Sequence, residues 1–139
     1  MSKDWQDDVW KFHVKMDLET NVTPVVPSED TIRLRIELIK EEVNKELLVV
    51  LDRLANTGTW DSETFPGIMA ELADSMADSI YVILGTAVSC GIDLQPIWNA
   101  VQRANMLKAG GPVRVDGKRL KPPGWKHPDI QKLIEEQTR

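Results

Sequence analysis

A chain of 139 residues with 42% hydrophobic and 28% charged residues is long enough to bury one core, and this composition excludes a disordered chain. The net charge of -5 excludes a general grip on nucleic-acid backbone, which needs a basic excess. The single cysteine, Cys90, excludes an internal disulfide and suits a reducing compartment, where a thiol in an apolar stretch behaves as a small buried hydrophobe.

The start, Met1 to Asp8, is polar and acidic, unlike the basic flank and apolar core of a signal peptide. A cytoplasmic protein is expected, with neither membrane nor nucleic acid as partner. Trp5, Val9, Phe12 and Met16 recur at helical spacing and predict a short first helix that ends before Pro24 and Pro27. Ser28, followed by Glu29 and Asp30, has the chemistry of a helix start: a hydroxyl to cap free amides and acids to oppose the dipole. From there Ile32, Ile36, Ile39, Val43, Leu47, Val50 and Leu54 predict one long second helix reaching about Leu54. Asn56 to Pro66, with Gly58, reads as a connecting loop.

The third helix is expected from about Gly67 to Cys90, with Gly91 as its left-handed stop. Ser75 to Val88 is apolar on nearly every face, the mark of a central helix; at this length, and with Asp78 inside it, it does not read as a membrane span. Asp93 caps a fourth helix with Pro96 in its first turn and Gly110-Gly111 closing it. A Pro/Gly-rich basic loop over 110–128 follows, then a short helix from about Asp129 to Gln137. The whole predicts a single all-α domain over residues 1–139, a four-to-five-helix bundle. One helix apolar all round leaves too little cover within a subunit, so an oligomer is expected.

Candidate chemistry lies in the acids of the two long helices. At 100 degrees per residue Glu42 and Glu46 fall within or at the edge of the apolar stripe, whereas Glu41 points nearly the opposite way. Glu71, Asp74 and Asp78 share one face of the third helix, and Asp78 is the only charged residue from Ser75 to Ile92. Burying a lone carboxylate costs several kcal/mol, on the order given for buried ions, so such acids are paired or bind a cation. A solvated face accounts for Glu37 and Glu41 but not for Asp78. No lysine or arginine is read on the same faces, which points to a hard divalent cation held by oxygens. Magnesium fits best, with manganese as its substitute. A carboxylate-bridged di-iron bundle would need Glu-x-x-His on two helices, and neither His13 nor His127 supplies it.

Leu38-Ile39-Lys40-Glu41-Glu42, with Glu46 a turn later, resembles the paired-acid helix of the MazG-like and phosphoribosyl-ATP pyrophosphohydrolase-like all-α enzymes. The segment Glu71 to Val82, then Gly85, Ala87 and Gly91-Ile92-Asp93-Leu94, resembles their second acidic helix and the cap after it. Arg103 to Lys108 and the tail Asp116 to Trp125 are similar to compact stand-alone members, phage-borne and bacterial. The likeness spans about Trp10 to Ile134. It departs at two positions: where the family has Glu-x-x-Glu and Glu-x-x-Asp, the partners of Glu42 and Asp78 are Lys45 and Ser75. Glu46 and Asp74 each stand one residue away, at i,i+4 spacing, so a retained site of altered geometry is expected.

The resemblance implies a MazG-like bundle, a homodimer or homotetramer, that cleaves a nucleoside triphosphate between its α and β phosphates for nucleotide-pool housekeeping or adjustment. It implies Mg2+ on Glu42, Glu46, Asp74 and Asp78, and catalytic roles for Glu41, Glu42 and Glu71, with Glu41 or Glu71 accepting the proton from water. Phosphoribosyl-ATP hydrolysis is the alternative within the class, and a non-catalytic helical interaction protein the alternative outside it. Asn105 and Lys108, at i,i+3 on the fourth helix, are of the type that donates to nucleotide oxygens. Lys118 and Lys121 belong to a tail with five basic residues against Asp116, suited to folding over a triphosphate. Trp125 is placed to stack a base and His13 to line the nucleotide pocket.

Overall fold

The computed structural model of the chain describes residues 3–57 and 63–139. It is all-helical: α1 (Lys3–Lys15), α2 (Glu29–Ile39), a π-helical segment (Lys40–Leu47), α3 (Leu48–Thr57), α4 (Phe65–Cys90), α5 (Leu94–Met106) with a 3-10 turn (Leu107–Gly110), and α6 (Ile130–Thr138). The second predicted helix is thus a continuous run, α2 to α3, interrupted by a π segment in place of α turns. Gly58, expected in the loop after it, lies outside the described residues, and Pro66 sits in the first turn of α4.

Local capping chemistry sets the ends. Ser28 accepts a hydrogen bond from Thr31 N, Asp93 from Gln95 N and Asp129 from Lys132 N, each satisfying an amide that the helix cannot. Gly91 closes α4 at φ +69, and a β-carbon there would collide with Thr23 O. The strand-free link before α2 is fastened to that same end by Asn21 N to Val88 O and Val25 N to Cys90 O.

α4 is the axis: α1, α2, the π segment and α3 all pack against it. Val9, Leu84 and Val88 form the buried centre, with Trp10, Ile80 and Leu94 around it. On α1 the inward face holds Val9 and His13, while Trp5, Phe12 and Met16 of the expected stripe are exposed. On α2 the buried side chain is Arg35, 6% exposed, and Ile36 faces out. Gly85 makes room for that guanidinium, which donates to Val82 O at 2.9 Å and to Thr86 Oγ1 at 3.4 Å. This contact sets α2 against α4 one turn before the π segment begins. None of the helices among the described residues is long and apolar enough to cross a membrane.

The stretch expected as an open loop after α5 is folded. Leu120 N bonds Pro112 O and Arg114 N bonds Lys118 O, both at 2.7 Å, around an isolated antiparallel bridge between Val113 and Arg119. Arg114 grips Asp116 through two nitrogens, and Arg119 donates to Gly111 O at 2.6 Å.

Candidate metal centre and basic cleft

Glu42 and Glu46 project from the π segment and Asp78 from α4, and one carboxylate oxygen of each lies within 4.8 Å of the other two. A π turn closes by i→i+5 hydrogen bonds, one residue more than an α turn; Leu48 N to Val43 O is such a bond. Position i+4 in a π turn therefore takes the place that i+3 holds in an α turn. The extra residue between Glu42 and Glu46 is absorbed by the backbone, and both acids face Asp78. Glu41 is exposed and is not one of the three.

The second displaced acid has no such compensation. α4 is a regular α-helix over Asp74 to Asp78, and Asp74 is exposed outside the trio, although its charge still acts on Asp78. Ser75, where the sequence resemblance leads one to expect an acid, is buried, its hydroxyl donating to Glu71 O at 2.9 Å. Glu71 is held elsewhere. Arg53 of α3 donates to both its oxygens, at 2.7 and 3.1 Å, which corrects the expectation that no arginine or lysine shares these faces. That pair lies 18 residues apart in sequence, beyond any helical spacing rule.

The trio carries the electrostatics of a cation site. Glu42 Oε2 is buried and has no hydrogen-bond partner. Desolvation, then the charges of Glu46 and Asp78, hold the Glu42 carboxyl above the usual range. Asp78 is raised as well, by desolvation first and then by Asp74 and Glu46. Three acids brought together, with an orphaned buried oxygen among them, are the arrangement that a divalent cation would balance, and an all-oxygen donor set fits a hard one.

Residues 9–105, more than half of the chain, match the family described as phosphoribosyl-ATP pyrophosphohydrolase. The chain belongs to that family. Its members fall within the MazG-like all-α superfamily and are pyrophosphohydrolases, enzymes that hydrolyse acid anhydrides. The family is typically metal-dependent, which agrees with the acid cluster. No curated protein matches the chain.

The expected substrate-binding residues divide into three groups. Asn105, Lys108, Lys121 and Trp125 share a cleft of about 340 Å³ with His127, at the C-terminal end of α5. There the Lys108 and Lys121 ammonium groups lie 5.1 and 4.9 Å from the centre of the Trp125 ring. Trp125 is fixed by its indole N–H donating to Ala104 O at 2.7 Å, and Lys121 donates to His127 Nε2 at 3.0 Å. Lys118 stays on the exposed hairpin, outside this cleft. His13 is interior, 1% exposed, with its Nδ1 3.3 Å from Glu19 O and its Nε2 facing Gly85 and Arg35.

Neither the burial of Arg35 nor the bond from Ser79 to the Glu42 carbonyl is legible from the sequence. Arg35 sits between stripe positions and reads as solvated; Ser79 reads as filler in an apolar helix. The signal for Ser79 is its spacing, four residues after Ser75 on a helix with few other hydroxyls.

Proposed function

We propose that this protein is a magnesium-dependent nucleoside triphosphate pyrophosphohydrolase, converting a (deoxy)nucleoside triphosphate and water to the monophosphate and pyrophosphate. The observation that carries the reading is the Glu42–Glu46–Asp78 trio with its unpartnered buried oxygen. Three carboxylates would hold Mg2+ while leaving room for substrate phosphates and water, the usual division of its ligands. When bound, the ion supplies charge neutralisation for phosphoryl oxygens and a more acidic water. Asp74, exposed beside the trio, adds negative charge that acts on Asp78. Glu71, engaged by Arg53, sets the approach of α3 to α4.

The cleft of Asn105, Lys108, Lys121 and Trp125 supports an anionic, aromatic-bearing ligand, because two ammonium groups flank one ring and neither is ion-paired among the described residues. Lys118 extends this basic surface. A homodimer, or a homotetramer built from it, belongs to the reading: Trp5, Met76 and Tyr81 line an apolar groove of about 410 Å³ between α1 and α4 and are half-exposed in one subunit. Action on the cytoplasmic nucleotide pool completes it.

Phosphoribosyl-ATP is the second reading, supported by the family that matches. Pyrophosphate release from a panel of eight nucleoside triphosphates and phosphoribosyl-ATP, with and without Mg2+, tests both. Release from at least one triphosphate supports the first; release from phosphoribosyl-ATP alone replaces it with the second.

A further inference from the structure

The two arms of the acid site come from different helices, and one side-chain hydrogen bond ties them at the level of the acids. The Ser79 hydroxyl donates to the main-chain carbonyl of Glu42 at 3.2 Å. Ser79 is 4% exposed and follows Asp78 directly, so a single bond connects the backbone of one acid with the neighbour of another.

The alternatives open to that hydroxyl make the choice informative. A serine or threonine inside a helix commonly bonds the carbonyl four residues before it. On the same face of α4, Ser75 does so to Glu71 O at 2.9 Å and Thr86 to Val82 O at 3.2 Å. Ser79 departs from this pattern and reaches into the π segment. Its acceptor has a second lone pair to offer beyond the helical ladder, and the wider turn is where the backbone has to be held to keep Glu42 and Glu46 aimed at Asp78.

We infer that Ser79 is a positioning residue for the metal centre: its bond to the Glu42 carbonyl holds the π segment at the separation from α4 that lets Glu42, Glu46 and Asp78 bind one cation. The inference rests on the metal reading above and goes beyond it by assigning a residue that touches neither ion nor substrate. Ser75 provides the control, since Ser75→Ala deletes an equally buried hydroxyl from the same face without cutting the link between helices.

Mn2+ binding to the full chain, followed by electron paramagnetic resonance without substrate, gives a readout separate from turnover. Alanine suits a helix interior, and thermal melts of both variants establish that they fold. The expected result is a dissociation constant raised about three- to tenfold in Ser79→Ala, the range one lost hydrogen bond supports, and unchanged in Ser75→Ala. Equal Mn2+ affinity in Ser79→Ala and wild type, or equal weakening in both variants, overturns the positioning role while leaving the metal centre standing. Absence of Mn2+ binding by the wild type overturns the metal reading and this inference with it.

Discussion

Arg35 lies over Gly85, where a β-carbon would run into its Nη2. A guanidinium buried against backbone, with no carboxylate among the described residues pairing it, depends on that gap to reach Val82 O. Gly85→Ala is therefore expected to push Arg35 off its acceptors and to cost about 1–3 kcal/mol, as overpacking does. Thermal denaturation checks this: a melting point several degrees lower is expected, and an unchanged one contradicts the packing described.

His13 faces the same guanidinium, and its pKa is lowered by desolvation first, opposed by the Glu19 carbonyl and assisted by Arg35. A histidine whose native pKa lies below its unfolded value contributes stability that is present above about 6.5 and is lost as pH falls through the native value. Chemical denaturation from pH 7.5 to 5 is expected to show the wild type losing stability relative to His13→Gln over that interval. A constant difference between the two proteins would place the titration elsewhere.

The raised carboxyls of Glu42 and Asp78 act in the opposite direction. For an acid with a native pKa above its unfolded value, the favourable contribution is complete below the ordinary carboxylate range and disappears as pH rises through the native value. In metal-free protein at neutral pH, Glu42→Gln should be more stable than wild type, with the gap closing toward pH 4. Added Mg2+ should reverse the order at neutral pH. A wild type more stable than Glu42→Gln without metal would contradict the crowding of the three acids.

The π segment gives a test by deletion. Removing Lys45 leaves Glu42-Val43-Asn44-Glu46, the three-residue spacing that an α turn needs to present both acids to one side. The expected variant has an α-helical segment, retains Mn2+ affinity within about threefold and melts no lower than wild type, because π turns are disfavoured relative to α turns. Loss of binding as complete as in Asp78→Asn would show that the π backbone does not simply absorb one residue.

Much of the fold is legible from local chemistry. The caps at Ser28, Asp93 and Asp129 and the stop at Gly91 stand where their side-chain or backbone preferences put them. The acidic pairs are visible too, and the four-residue step from Glu42 to Glu46 is the trace of the π turn, readable only once the backbone is seen to widen. What stays hidden depends on distant partners. Arg53 pairs with Glu71 across 18 residues, and Arg35 is buried because Gly85, fifty residues on, lacks a side chain. The partial exposure of Trp5, Phe12 and Met16 follows from α1 resting on α4 chiefly by Val9 and His13, which periodicity along the sequence alone does not decide.

Glu42, Glu46 and Asp78 are proposed to hold the ion on which pyrophosphate release depends. Mg2+-dependent release from the nucleotide panel, compared in wild type, Asp78→Asn and Glu71→Gln, tests it directly. The wild type is expected to turn over at least one triphosphate, Asp78→Asn to lose at least about 100-fold, as when a metal site is disrupted, and Glu71→Gln to stay within about threefold of wild type, its exposed pair with Arg53 contributing at most about 1 kcal/mol of stability. Full activity in Asp78→Asn, or release that continues at the same rate without a divalent cation, would contradict it.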